Sequence, residues 1–311
     1  MSLRLRLLTG VLRRLVKPGL RHVPAPKLAR ASFERSARLF FSPAPFSLFV
    51  EDSLPGPAGP IPALWCSSGP AERARAVLYL HGGGYVVGSP QTHQAVCSRL
   101  SRLAGVRVLS AGYRLAPEHP FPGALEDAAA AFEALLGRGY SAASIVIGGD
   151  SAGGGLALAL LARLCAAGRA PAGVFAWSPW TDLTLSGDSL VRAEKREALL
   201  PLTRIKQMRD YYAGDADLRD PGLSPLSARF PSCPPVLIQY SLDEILADDG
   251  ERMATALRAQ GAAVRVETWA QAPHVWQMYG GWLPEAQDAI ANTADFVRQA
   301  LDLPPRPPDG N

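Results

Sequence analysis

The stretch from residue 145 to residue 161 constrains the fold most, because it indicates a strand, a tight turn and a helix in immediate succession. Ile145-Val146-Ile147 is β-branched, and an Ala/Leu run with strong helix propensity follows the turn. Between them, Gly149-Asp150-Ser151-Ala152-Gly153 fits G-x-S-x-G, a pattern in which the serine occupies a strained strand-to-helix turn. A Cβ at either glycine is expected to collide with a neighbouring strand or helix. The helix that begins at Ala152 directs its backbone N–H groups beside Ser151.

The glycine and cysteine patterns of the chain do not indicate a phosphate-binding loop, a dinucleotide site or a metal site. The alternatives for the Ser151 turn are a phosphate-binding loop and an ordinary strand-to-helix turn. A phosphate loop would carry Gly-Lys-Ser/Thr at the helix start, and no lysine lies near Ser151. Gly82-Gly83-Gly84 lacks the G-x-G-x-x-G register of a dinucleotide site. The four scattered cysteines form no C-x-x-C pair, so we expect reduced structural thiols, no metal and no cofactor.

A serine hydroxyl needs a neutral imidazole as base and a carboxylate that orients this imidazole. In folds with this turn, the acid and then the histidine follow the serine along the chain, and His274 is the one histidine that does so. The acid is expected after the strand pattern of Pro235–Tyr240. We predict Asp243, which is closest to that strand. Three acids compete with it and would otherwise stabilise the first turn of a helix over residues 248–260: Glu244, Asp248 and Asp249.

Backbone donors for a negative oxygen are predicted on the loop that follows Val77–Leu80. His81-Gly82-Gly83-Gly84 has three glycines that let the backbone approach a ligand. The N–H groups of Gly83 and Gly84 are therefore expected to join that of Ala152 in an oxyanion hole. For His81 we favour a structural role, in which the ring fixes the loop by hydrogen bonding.

These segments together resemble the hormone-sensitive lipase-like branch of the α/β-hydrolase superfamily, whose bacterial members are serine carboxylesterases. Six segments stand in that family's order between about residues 40 and 300: His81–Gly84, Tyr113–Pro122, Gly149–Gly154, Ser178–Leu183, Asp243-Glu244 and Pro273-His274. Gly155 departs from the family's usual Asn, and Ser241 departs from its usual Gly. Within the second segment, we expect Arg114 and Glu118 to pair locally and brace the loop.

The pattern along the chain indicates an α/β-hydrolase fold, with a mostly parallel eight-stranded sheet flanked by helices, an initial hairpin and a helical cap. The predicted strands are 46–50, 61–66, 76–80, 107–111, 145–149, 173–177, 235–240 and 264–269. Predicted helices at Arg192–Leu199 and Leu202–Tyr212 lie in an insertion. We divide the chain into an N-terminal cap segment (1–45), the catalytic domain (46–181 and 230–303), a cap insertion (182–229) and a disordered tail (304–311).

The charge distribution is uneven. Residues 1–38 hold ten Lys/Arg against one acid, Glu34, whereas the whole chain has a net charge of +4. Leucines interleave with these arginines, so the segment could lie on an anionic membrane surface. The resemblance favours the alternative, a helix docked over the active site. Arg13 and Arg14 interrupt the apolar run, so we predict no signal peptide or spanning helix and a cytoplasmic location. Nucleic-acid binding is not expected, because no aromatic residue interleaves with the arginines before Phe33.

The sequence therefore predicts a cofactor-free serine carboxylesterase that hydrolyses short- to medium-chain acyl esters or lactones through an acyl-enzyme. A lactonase or acyltransferase with the same triad, and a non-catalytic small-molecule receptor, are the rival hypotheses. The expected partner is a small-molecule ester, and a weak membrane contact and a homodimer stay open. The side chains predicted to line the substrate pocket, with core packing as the alternative, are Tyr85, Trp180, Met208, Tyr212, Trp276, Phe40 and Phe41.

Overall fold

The computed structural model describes residues 1–21 and 25–306, so the predicted tail lies outside the described residues from 307 onward. It has an α/β-hydrolase fold built on one eight-stranded sheet, as the sequence predicted. The strands are β1 (Ser47–Leu54), β2 (Ile61–Ser68), β3 (Glu72–Leu80), β4 (Val106–Ala111), β5 (Ile145–Asp150), β6 (Gly173–Trp177), β7 (Val236–Ser241) and β8 (Val264–Trp269).

The sheet order is β1-β2-β4-β3-β5-β6-β7-β8. β1 and β2 form the predicted antiparallel hairpin, and β2 runs antiparallel to β4, whereas the pairs from β4 to β8 are parallel. Every residue of β5, β6 and β7 is buried, as expected for parallel strands covered on both faces. Their carboxyl ends therefore lie at one edge of the sheet, where a site can form.

The helices cover both faces of the sheet and its carboxyl edge. They are α1 (Leu3–Val11), which continues through a π-helical turn (Leu12–Val16) into α2 (Lys17–Leu20), then α3 (Pro26–Phe40), α4 (Pro90–Ala104), α5 (Gly123–Gly137), α6 (Ala152–Ala166), α7 (Ser189–Arg192), α8 (Leu202–Ala213), α9 (Ala247–Ala259) and α10 (Pro284–Ala300). None of the helices in the described ranges combines the length and the apolar composition that crossing a membrane requires.

One predicted helix is wrong. The segment Arg192–Leu199 is not helical beyond Arg192, where the single turn of α7 ends. The reason lies in Glu197, whose carboxylate accepts hydrogen bonds from the amides of Leu199 (2.7 Å) and Leu200 (3.2 Å). A side chain that binds nearby backbone donors competes with the helical hydrogen bonds. The second predicted helix of the insertion is present as α8.

The N-terminal segment packs against the insertion and the loop after β3. Lys17 Nζ donates to the carbonyl oxygens of Glu194 (2.7 Å) and Glu197 (2.9 Å). Arg30 Nε donates to the carbonyl oxygen of Val86 at 2.8 Å, just beyond the glycine loop. The N-terminal cap segment therefore contacts both the cap insertion and the loop that follows β3. The division of the chain into these portions stays a prediction.

Candidate active site

Ser151 occupies a sharp turn between β5 and α6. Its φ of +54° is in the left-handed region, which a residue with a side chain adopts only under local constraint. A Cβ on Gly149 would lie 2.4 Å from the carbonyl oxygen of Gly153, and one on Gly153 would lie 2.0 Å from that of Leu80. The expected need for glycine at both positions is therefore confirmed, because backbone atoms fill the space on either side of the turn.

His274 brings two other segments to this serine. Its Nε2 lies 2.8 Å from Ser151 Oγ, and its Nδ1 lies 2.6 Å from Glu244 Oε2. The exposed fractions are 8% for Ser151, 3% for His274 and 0% for Glu244, so the hydrogen-bonded row is shielded from water. The predicted pairing of Ser151 with His274 is thus present in the structure.

The prediction of Asp243 as the acid is wrong, because the structure places Glu244 against His274. The loop after β7 folds back on itself, and the amide of Ser241 donates to Glu244 Oε1 at 3.0 Å. The longer glutamate side chain thereby reaches back to the strand end and the imidazole. Asp243 instead faces the insertion, where one carboxylate oxygen lies 3.3 Å from Arg196 Nε. Asp243 was predicted because it lies nearer to the end of β7 along the chain. Glu244 contacts the imidazole instead because its side chain is longer.

The pKa of His274 reflects its burial and its carboxylate neighbours. Burial alone would lower this pKa, but the hydrogen bond that Glu244 accepts from the ring and the negative charge of Glu244 outweigh burial, so the pKa is raised above its ordinary value. The charge of Glu197 acts in the same direction. Sequence reasoning missed Glu197, which is 1% exposed and accepts a hydrogen bond from the Ile245 amide at 3.1 Å. Only its position in a charged insertion marked it in the sequence.

The glycine loop after β3 lies beside the serine turn and is fastened to it by Asp150. Asp150 Oδ1 accepts hydrogen bonds from the Gly82 amide (2.9 Å) and the Tyr79 hydroxyl (2.7 Å). Gly83 and Gly84 have φ values of +124° and +62°, conformations that favour glycine. Within the described residues, their amides donate to no protein acceptor.

The backbone N–H of Ala152 likewise has no hydrogen-bond partner within its own helix. Ala152 is the first residue of α6, and the first N–H groups of a helix have no partner within the helix. The structure therefore brings two elements with backbone donors, the glycine loop and the start of α6, to the turn that carries Ser151. The individual assignment of Gly83, Gly84 and Ala152 to an oxyanion hole stays a prediction.

His81 has the structural contacts expected for it. Its Nδ1 lies 3.0 Å from the Gly82 carbonyl oxygen, and its ring stacks on Tyr113 with a centroid distance of 4.3 Å. Burial lowers the pKa of His81 to about 3, so the ring is neutral near neutral pH. These contacts fix the loop beside the serine.

The expected pair of Arg114 and Glu118 is absent. Arg114 is bonded to Asp127 and Glu126, while Glu118 is bonded to Arg30 at 2.6 Å. The sequence suggested a pair of two nearby residues, because Arg30, the actual partner of Glu118, lies more than eighty positions upstream and gives no local signal. The Glu118 contact instead joins the N-terminal segment to the loop that borders the glycines.

Four of the predicted pocket residues lie around the serine turn and the glycine loop. The rings of Tyr85 and Tyr212 are stacked with centroids 3.6 Å apart. A Cβ on Gly84 would lie 2.1 Å from Met208 Sδ, so Met208 touches the loop from α8. The amide of Trp180 donates to the Ser151 carbonyl oxygen at 3.0 Å.

The remaining predicted pocket residues are elsewhere. Trp276 is fully buried in a separate apolar cluster with Leu5 and Leu283, and its Nε1 donates to the Glu285 carbonyl oxygen. This placement gives Trp276 the core-packing role and contradicts its prediction as a substrate contact. Phe41 packs edge-on against Tyr279, and Phe40 is 65% exposed.

Comparison with known proteins agrees with this fold. A family described by its alpha/beta hydrolase fold matches residues 77–278. An acetyl-hydrolase of Streptomyces hygroscopicus is 41% identical over 230 residues, 74% of this chain and 77% of that protein. An esterase of Acinetobacter venetianus is 35% identical over 75% of this chain and 77% of its own length.

Solved structures of esterases are also similar to this chain. The structure of an esterase from the bacterial hormone-sensitive lipase family superposes with a TM-score of 0.89 at 35% identity, covering 97% of this chain and 99% of that chain. The chain belongs to the α/β-hydrolase family, and within it to the hormone-sensitive lipase-like branch. The expected enzyme class, a carboxylic ester hydrolase, is confirmed with the family.

Proposed function

We propose that the protein is a serine carboxylesterase in which Ser151, His274 and Glu244 form the catalytic triad. The observation that carries the proposal is the buried row in which His274 contacts Ser151 Oγ at 2.8 Å and Glu244 at 2.6 Å. A neutral imidazole in this position takes the serine proton as Oγ attacks the ester carbonyl carbon. Glu244 holds the ring and stabilises the imidazolium that forms.

The reaction then proceeds through an acyl-enzyme. The bond from Ser151 Oγ to the carbonyl carbon forms, the bond from that carbon to the alkoxide oxygen breaks, and His274 gives its proton to the leaving alcohol. Water, activated by the same imidazole, attacks the acyl-enzyme and restores the serine. The negative oxygen of each tetrahedral intermediate is stabilised by the amides of Gly83, Gly84 and Ala152, and each donor lowers the barrier by about 3–4 kcal/mol.

We propose short- to medium-chain acyl esters as substrates, with lactones included. Met208 touches the glycine loop, and the stacked pair of Tyr85 and Tyr212 lies beside it. Large, fully buried side chains close to the reacting carbon leave little room for a long acyl chain. The insertion carries both Met208 and Tyr212, so it supplies acyl selectivity and excludes water, as lids do.

A series of p-nitrophenyl esters from acetyl to palmitoyl tests this function, with Ser151→Ala as the matched blank. We expect kcat/KM to be highest at a short or medium chain and to fall steeply for the palmitoyl ester. Met208→Ala should move the preferred chain towards greater length. A Ser151→Ala variant that retains most of the activity would refute the function, whereas a maximum at palmitoyl would refute the substrate class alone. Product analysis with a competing alcohol separates hydrolysis from acyl transfer.

A further inference from the structure

An unusual apolar stripe runs along the outside of the N-terminal helix. Leu3, Leu7, Val11 and Leu15 are 70%, 62%, 50% and 72% exposed. Residues four positions apart lie on one face of a helix, so these side chains form a continuous row. Single exposed apolar side chains are common, but a row of four on one helix marks an interaction surface.

The stripe is not the face by which this helix packs on the protein. Leu5 and Leu12 are 1% and 5% exposed and lie on the inner face. The same face carries Lys17, which donates to the carbonyl oxygens of Glu194 and Glu197. The helix is thus already fastened to the catalytic body, and its outer apolar row stays uncovered.

Positive charges without acidic partners border the stripe. In the part of the chain that the structure describes, the guanidinium groups of Arg6 and Arg14 make no hydrogen bond or ion pair. Arg4 and Arg13 donate to the carbonyl oxygens of Trp282 and Arg196, contacts that leave their charges unneutralised. No Asp or Glu occurs before Glu34.

We propose that this face of the N-terminal helix binds an anionic lipid surface, with the helix axis parallel to the membrane. Leucine and valine side chains enter the boundary between headgroups and acyl chains, and the bordering arginines bind lipid phosphates. A second copy of the chain fits this face poorly, because a symmetric contact would oppose arginine to arginine with no acidic residue between them. A nucleic acid would leave the apolar row unburied.

Lipid binding would bring the active site to the membrane surface. Glu197, whose carbonyl oxygen binds Lys17, accepts a hydrogen bond from the Ile245 amide next to Glu244. The surface-binding helix is therefore connected through one loop to the segment that carries the acid. The proposal does not depend on the proposed esterase activity, since vesicle binding is measured without a substrate.

Co-sedimentation with lipid vesicles tests the proposal. The full chain is mixed with vesicles of phosphatidylcholine alone and with vesicles of equal parts phosphatidylcholine and phosphatidylglycerol. We expect binding to the anionic vesicles that weakens with added salt. Leu7→Gln/Leu15→Gln should reduce the affinity about tenfold or more. Arg6→Gln/Arg14→Gln should reduce it about tenfold to thirtyfold.

Matched controls lie outside the stripe. Leu48→Gln/Val50→Gln changes two exposed apolar residues on the edge strand β1, and Arg229→Gln removes an exposed arginine. These variants should bind vesicles like the unchanged protein. All variants are compared by thermal unfolding, and the altered side chains of the stripe are exposed, so we expect their folds to persist.

Four results would overturn the proposal. The first is no binding to anionic vesicles, the second is equal binding to neutral vesicles, and the third is equal weakening of binding by the control variants. The fourth is self-association in sedimentation velocity that Leu7→Gln/Leu15→Gln abolishes, because a second copy would then cover the face.

Discussion

Replacing Glu244 by Gln tests which of two adjacent acids serves His274. The glutamate is fully buried and its oxygen lies 2.6 Å from Nδ1. An imidazolium and a carboxylate with charge centres about 4 Å apart attract by about 4 kcal/mol at an effective dielectric constant of about 20. Loss of this attraction in the transition state corresponds to about 10³-fold in kcat. The amide also permits the wrong imidazole tautomer, so we expect a loss of about 10³- to 10⁴-fold.

Asp243→Asn is the matched control, since it makes the same chemical change one residue earlier. Its partner Arg196 is half exposed, and exposed ion pairs contribute about 0–1 kcal/mol, so kcat should change by less than about fivefold. Both variants are assayed with p-nitrophenyl acetate, after thermal unfolding shows that each is folded. Equal losses in the two variants, or a loss of less than about tenfold in Glu244→Gln, would show that Glu244 is not the acid that serves His274.

Three further predictions concern the base, the glycine loop and the buried acid of the insertion. Because the pKa of His274 is raised and the base must be neutral, kcat/KM should fall as pH decreases through a midpoint above about 6.5; a flat acid limb would contradict this. Gly83→Ala places a Cβ 2.1 Å from a backbone oxygen and should lower kcat about 10²- to 10³-fold. In Gly84→Ala the new Cβ meets the flexible side chain of Met208, so adding Met208→Ala to this variant should restore part of the activity. Glu197→Ala leaves three amides without their acceptor and should lower the free energy of unfolding in urea by about 2–5 kcal/mol; a change below about 1 kcal/mol would contradict this.

The sequence predicted the elements whose signals are local. Each of the eight predicted strand patterns matches a strand of the sheet within a few residues. The tight turn at Ser151 was predicted because the signals for it, the glycines on both sides and the Ala/Leu helix pattern, lie within a few positions of the serine. His274 was identified by elimination, since no other histidine follows the serine.

Predictions that depended on side-chain reach or distant partners were less successful. Asp243 and Glu244 follow the same strand, and the choice between them depends on how the loop folds back to Ser241. The partner of Glu118 is Arg30, which lies far upstream in the chain. Trp276 lies two positions after His274, yet its ring packs in a separate apolar cluster. Such contacts are set by tertiary packing, which the local pattern does not record.

Labelling with a p-nitrophenyl phosphonate, followed by peptide mass spectrometry, tests most directly whether Ser151 is the nucleophile that His274 and Glu244 activate. We expect one phosphonyl group per chain on the peptide containing Ser151, loss of activity in step with labelling, and labelling slowed at least about a hundredfold in His274→Ala and Glu244→Gln. A phosphonyl group on another side chain, or full esterase activity in a chain labelled at Ser151, would contradict this expectation.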